Sequence, residues 1–376
     1  MGMQLAFGIL AGFAAAFGAD GDAVRVLVDG EVATIEHAFV EQGELWVPAA
    51  ALPAVSGFDV KPMGLCSASQ CIVVPENAGW LRQVQGRTYA APAKIAQRLD
   101  QPVVADLERR IWAFGRVPSE RTVRLEDAAA PDFALPDRSG RLVRLSDFRG
   151  KKVLLLTWAS WCKCSLDLPR WQKVYEELRG DGFELVAVAQ DSAGEAAAGR
   201  HYDDAKATFT SLIDPHHKVS ALYQMVNVPS GVWIDEQGRI VRPPEVAYTK
   251  GFRLLGKQVG DDRYEPALRD WVAQGSRSRF AMTPEQLASK LALRSSPLRR
   301  AELEFQLGAY LFSIGDRKGA REHWQSAQNL DPDNWNYHRQ DWSFDSKEAV
   351  RNWMAKVRAL GGKPYYEPLD LGGDAP

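Results

Sequence analysis

A continuous apolar run from Val153 to Trp158 breaks off at Ala-Ser-Trp-Cys-Lys-Cys and is followed, from Leu168 to Leu178, by apolar residues at helical spacing. An uninterrupted apolar run of that length reads as a strand buried on both faces, so the chain must supply material to cover both sides of a sheet. The alternation continues. Phe183 to Ala189 reads as a second buried strand, Gly194 to Ala207 as a helix and Leu212-Ile213 as the close of a third strand; Val232 to Ile234 and Arg239 to Val241 form a hairpin around Glu236-Gln-Gly238. Strands alternating with helices predict an α/β fold with parallel and antiparallel pairs.

The flanks differ from this centre. Val24 to Val28, the turn Asp29-Gly30, Val32 to Ile35, Leu45 to Val47 and Cys71 to Val74 show β-rich runs separated by turn signals. They predict a small β-rich domain over residues 22–125, built of small antiparallel hairpins. Cys66 and Cys71 flank four small or polar residues, a spacing that suits a structural disulfide across one hairpin; a second redox pair is the alternative. An Ala-Pro-rich joint, Glu126 to Pro131, leads into the central domain, residues 127–275. Beyond Pro243-Pro244 the pattern turns helical, first at Tyr264 to Gln274, then from Pro284 to Ala292 and onward, which predicts a helical region over residues 276–376.

Residues 1–19 resemble a secretory signal peptide. Leu5 to Phe17 is apolar, Ala16-Phe17-Gly18 offers a small-x-small cleavage site, and Asp20-Gly21-Asp22 follows. Met1 to Gln4 lacks the Lys or Arg of such peptides, which leaves the true start open, and a buried N-terminal helix is the other reading. Four cysteines in two close pairs, Cys66/Cys71 and Cys162/Cys164, agree with export to an oxidising, periplasmic or otherwise extracytoplasmic compartment. With 45% hydrophobic and 25% charged residues the 376-residue chain reads as globular, and a net charge of −2 gives no electrostatic reason for a nucleic-acid partner.

The chemistry centres on Cys162. A thiol placed after a strand, at the N-terminus of a helix, meets unpaired N–H groups that favour thiolate, and Lys163 adds a cation. Thiolate is the attacking species in disulfide exchange, so Cys162 is the expected nucleophile and Cys164 its second thiol. Trp158 and Trp161 would shield the thiol, or serve as core aromatics. Asp167 would relay a proton to the second thiol, or act as a plain first-turn carboxylate.

Residues 131–242 resemble the exported thioredoxin-like reductases of the TlpA/ResA type. The matching pieces are Ala-Pro-Asp-Phe-Ala-Leu at 130–135, Leu-Ser-Asp-Phe-Arg-Gly at 145–150, Trp-Ala-Ser-Trp-Cys at 158–162, Asp-Leu-Pro at 167–169 and Val-Pro-Ser at 228–230. The resemblance implies a thioredoxin-like fold with the first cysteine at the strand-to-helix junction and a cis-proline, Pro229, facing it. It also implies that Val228 presents backbone groups to an extended substrate. The motif departs from the family, which has two residues between its cysteines where this chain has only Lys163; Ser165 stands at the family's second position. Residues two apart on a helix diverge, so a Cys162–Cys164 bridge requires Lys163 to leave the helix and should be strained and oxidising. Cys162 acting alone through mixed disulfides is the other mechanism.

Two weaker-patterned flanks carry resemblances of their own. Residues 26–57 are similar to stalk modules such as the N-terminal module of copper amine oxidases, with no copper site implied. Ala301 to Asn334 resembles one tetratricopeptide repeat through Leu307-Gly308, Gly315-Asp316, Ala320, Trp324, Ala327 and Leu330-Asp331-Pro332. One repeat cannot bury its own apolar face, so it should pack on the central domain, on flanking helices or on a second subunit, and could receive a protein partner.

The reading is an exported thiol-disulfide oxidoreductase acting on protein thiols and disulfides. No nucleotide or flavin fingerprint appears, so no cofactor is expected and electrons would pass to or from another thiol protein. Reductase, oxidase and isomerase directions stay open. A redox-silent thioredoxin-like scaffold, a soft-metal site on Cys-x-Cys and peroxidase chemistry are the competing readings. No His lies near the cysteines to complete a metal shell, and the peroxidase-type Pro ahead of the Cys is missing.

Overall fold

The computed structural model describes residues 23–28, 30–67, 70–75, 78–118, 128–291 and 294–371. The signal-peptide reading of residues 1–19, the turn residue Asp29 and the start of the joint at Glu126 lie outside the described residues.

The apolar run forms the middle of a five-stranded sheet ordered Thr210–Ile213, Phe183–Ala189, Lys152–Trp158, Ser230–Ile234 and Ile240–Val246. Pairing is parallel on one side of Lys152–Trp158 and antiparallel on the other. Successive side chains of a strand face opposite ways, so the run divides between two cores. Leu154, Leu156 and Trp158 join Trp171, Leu268 and Trp271 of the helices Leu168–Leu178 and Tyr264–Gln274. Val153 and Leu155 meet Val219, Tyr223 and Leu287 on the other face. The close fit is visible at Gly231, where any Cβ would run into the Tyr264 hydroxyl and the Ala247 methyl.

One boundary differs from expectation. The strand Ile240–Val246 continues through Pro243-Pro244, and a second hairpin, Phe252–Leu254 with Lys257–Val259, intervenes before the helix begins. Prolines lack the N–H that a central strand must donate, but this is an edge strand, and its register shifts opposite Gly231 to Ile234.

The N-terminal part holds hairpins, but its principal sheet is not built of local pairs alone. Val24–Val28 pairs antiparallel with Glu31–Ile35 and parallel with Ile111–Phe114, setting Arg25 against Ile111. Cys66 and Cys71 are directly opposed on two paired strands and joined by a disulfide.

The helices Ser296–Ser313 and Arg317–Leu330 pack through Gly308, whose missing side chain admits the Trp324 indole. Filling that space would cost about 1–3 kcal/mol. Their shared apolar face is covered by the N-terminal sheet, a support the sequence reading did not include: Leu303, Phe305 and Leu307 share a core with Leu27, Val104 and Ile111. Arg109 fixes this contact by pairing with Asp106 and Asp316, and His323 bridges Glu304 and Asp106. No described helix is long and apolar enough to cross a membrane.

Candidate active site

The strand Lys152–Trp158 delivers the chain to Cys162, which stays extended at φ −98° and ψ 138° and caps a 3-10 turn, Lys163–Asp167. The α-helix begins only at Leu168. Lys163 opens this turn, outside the α-helix, and Cys162 before it is extended. An extended Cys162 swings its sulfur back over the turn, where it meets Cys164, and the two are joined as a disulfide.

The Cys164 backbone N–H donates to the Cys162 sulfur at 3.2 Å, and the Ser165 hydroxyl donates to the Cys162 carbonyl at 3.0 Å. An N–H aimed at sulfur stabilises thiolate when the bond opens. The pair is deeply covered, with Cys162 2% and Cys164 3% exposed.

Val228–Pro229 is a cis peptide, and the Val228 carbonyl oxygen lies 3.4 Å from the Cys162 sulfur. Val228 itself is buried and its backbone is already engaged. Its N–H donates to Asn227 Oδ1 at 3.0 Å, and its carbonyl accepts from the Tyr366 hydroxyl at 2.6 Å. The expectation of free backbone groups at Val228 is therefore corrected, because a side chain from the far end of the chain occupies the carbonyl. Tyr248 Oη sits 3.8 Å from the Cys162 sulfur, and burial pushes its phenol above the ordinary value, so it is a neutral hydroxyl there.

The other expected residues are distributed around this centre. Trp158 is wholly buried, donates to the Tyr202 hydroxyl at 3.0 Å and belongs to the core, so it cannot meet a docked chain. Trp161 is half-buried, with its Nε1 donating to Gln340 at 3.2 Å and the Arg339 guanidinium 4.6 Å over its ring. Lys163 lies 4.5 Å over the Phe252 ring, a cation held against an aromatic face. Asp167 turns to Thr249, accepting from its N–H at 2.8 Å and its hydroxyl at 2.5 Å. Burial raises the Asp167 carboxyl above its ordinary value, and the Thr249 bonds oppose that rise.

Several residues escaped the sequence reading. Asp191, just past the strand Phe183–Ala189, accepts from the Ser160 N–H at 2.9 Å and hydroxyl at 2.5 Å and so holds the loop before Cys162. Burial pushes its carboxyl up to about 6. Its signal was legible, since the carboxyl end of a parallel strand beside the central one is where such folds gather functional groups. Arg339, Gln340, Tyr365 and Tyr366 come from the C-terminal region; Gln340 accepts from Trp161, and Arg339, Tyr365 and Tyr366 with Trp161, Lys163 and Tyr248 wall a cavity of about 290 Å³. Only the aromatic pair in Pro-Tyr-Tyr-Glu-Pro at 364–368 hinted at them. Among the described residues, no group of three or more His, Cys, Asp or Glu gathers as a metal site.

Known proteins resemble the central part of the chain. The sequence model of the AhpC/TSA family matches residues 127–242. The thiol-disulfide oxidoreductase ResA of Geobacillus thermodenitrificans is 33% identical over 125 residues, which are 32% of this chain and 70% of that protein. The thioredoxin-like protein YneN of Bacillus subtilis is 35% identical over 133 residues, covering 34% and 77%. Among solved structures, a putative thiol:disulfide interchange protein DsbE from Chlorobium tepidum is 34% identical, covers 32% of this chain and 84% of its own, and gives a TM-score of 0.30.

Proposed function

We propose what this chain does from one premise: it belongs to the ResA-type thiol-disulfide oxidoreductases. It is an enzyme of disulfide exchange, and the proposal concerns how its own residues perform that exchange. The observation that carries it is the Cys162–Cys164 disulfide at the strand-to-helix junction, with the Cys164 N–H directed at the Cys162 sulfur.

In the reductive half of the cycle a partner's thiolate attacks the Cys162 sulfur. The bond to Cys164 breaks, a mixed disulfide forms, and Cys164 leaves as thiolate and takes up a proton. A second thiolate of the partner then attacks the mixed disulfide and releases Cys162 as thiolate. The partner ends oxidised by two electrons and the chain reduced by two; the reverse sequence reduces a partner's disulfide. Asp167, whose carboxyl burial raises above its ordinary value, is the group we assign to proton exchange with the Cys164 side of the turn. Lys163 and Trp161 flank the substrate, and Val228 with Pro229 forms the wall opposite the disulfide.

The partners in this reading are protein thiols and disulfides, and the compartment is extracytoplasmic. Both cysteine pairs being closed supports that placement, since disulfides persist where the surroundings oxidise. The test is trapping. In Cys164→Ser the free Cys162 thiolate attacks a disulfide-bonded peptide and releases one half as thiolate, and the mixed disulfide, with no internal thiol to resolve it, should accumulate; in Cys162→Ser none should form. Accumulation on Cys164 in the Cys162→Ser protein would reverse the assignment.

A further inference from the structure

After its last helix, Ser346–Ala359, the chain runs back across the active site through residues 363–368. Tyr366 places its hydroxyl 2.6 Å from the Val228 carbonyl, the group that also lies 3.4 Å from the Cys162 sulfur. Tyr365 is held beside it, accepting from Arg339 at 3.2 Å and from Trp353 Nε1 at 3.1 Å.

Two cavities meet at these tyrosines. One, of about 290 Å³, opens beside Trp161, Lys163 and Tyr248. The other, of about 590 Å³, opens beside Asn227, Ser230, Pro244 and Trp335. Tyr365 and Tyr366 are the residues that line both, so the segment lies as a bar between the two cavities, where Tyr366 takes the Val228 carbonyl.

The bar is attached by side chains. Among the described residues, no backbone–backbone hydrogen bond ties 364–371 to the rest of the chain. Beyond the tyrosines, Arg242 donates to the Asp370 carbonyl at 2.6 Å, and Lys290 lies 3.4 Å from its carboxylate. An extended segment that takes a backbone acceptor and fills flanking pockets with side chains is using the binding mode of a docked peptide. With Cys162 2% and Cys164 3% exposed, a protein-borne thiolate has no open approach to the disulfide.

We propose that residues 363–368 are a tethered occupant of the groove in which an extended, cysteine-bearing polypeptide docks, and that this strap leaves Val228 before a polypeptide exchanges with Cys162. The proposal rests on Cys162 being the exchanging thiol. The strap competes with the incoming chain for one carbonyl and one pair of pockets, so it lowers exchange with polypeptides more than exchange with small thiols.

The experiment compares the full chain, its Tyr366→Phe variant and a chain ending after Gly362. Each is reacted, as its oxidised form, with dithiothreitol and with a synthetic twelve-residue peptide carrying one cysteine. The rate of opening of Cys162–Cys164 is read by quenched alkylation and mass spectrometry. Ending the chain after Gly362 is expected to raise the peptide rate about tenfold or more, and Tyr366→Phe, which keeps the ring and loses one hydrogen bond, about threefold. Dithiothreitol rates should change less than peptide rates. Peptide rates equal to or slower than the full chain's in Tyr366→Phe, with dithiothreitol still reacting, overturn the strap and leave the redox centre standing. Failure of every form to react with either thiol overturns the redox centre itself.

Discussion

The bond between Cys66 and Cys71 crosses a surface hairpin with Cys71 exposed, whereas the bond between Cys162 and Cys164 is nearly sealed from solvent, with the Tyr248 hydroxyl beside the Cys162 sulfur. If accessibility alone chose the redox centre, the hairpin pair would be it. The surroundings of the sulfurs point the other way. Cys162 receives a backbone N–H and stands opposite Val228 and the Tyr248 hydroxyl, while the Cys71 sulfur lies 3.9 Å from the Met63 thioether, which offers thiolate nothing. Exposure governs who can reach a disulfide; the stabilisation of its thiolate governs what it does when reached.

The sharpest way to break this contrast is substitution. Cys162→Ser should reduce peptide exchange to the buffer background, and Cys66→Ser with Cys71→Ser should leave it unchanged. Exchange lost in the hairpin double variant would join the two pairs into one relay. The same double variant should pay in stability instead, because a bridged hairpin loses its constraint on the unfolded chain. For so short a loop the expected cost is about 2 kcal/mol, read from urea unfolding. An unchanged midpoint would deny the hairpin bond a structural role.

A smaller effect sharpens the loop that carries Cys162. Burial pushes Asp191 up to about 6 from an ordinary 3.8, so the folded chain holds this proton more tightly than the unfolded one. Its contribution to stability is then complete below about pH 4 and is lost as pH rises through 6. Melting curves of Asp191→Asn should lack that part of the decline between pH 4 and 6, and an equally steep decline in both proteins would contradict the assignment. Smallest of all, in the reduced chain Asp167→Asn should slow the attack of Cys164 on the mixed disulfide formed with a disulfide-bonded peptide and flatten its pH dependence, without changing the first attack by Cys162. Stopped-flow mixing with the peptide separates the two phases. A slowed first phase would mean that Asp167 merely shapes the turn.

The central elements were legible because their signals are local. The helices Leu168–Leu178 and Tyr264–Gln274 and the strand Phe183–Ala189 fall where periodicity puts them, since each buries a face written into consecutive residues. The parallel pairing of Val24–Val28 with Ile111–Phe114 had no such signal, because it joins residues far apart in sequence through backbone groups alone. The double proline misled for a related reason: whether a strand lies at an edge is a property of the sheet, not of Pro243-Pro244. At the site, the Cys-Lys-Cys motif and Pro229 stood out by residue type. Tyr366 did not, since its function in this arrangement depends on a carbonyl 138 residues away.

The most direct measurement equilibrates the oxidised chain in glutathione buffers of graded potential and quantifies each pair by differential alkylation and mass spectrometry. An environment that stabilises the Cys162 thiolate stabilises the reduced form, so Cys162–Cys164 should open in more oxidising buffers than Cys66–Cys71. Cys66–Cys71 opening first, or both pairs opening together, would contradict the account.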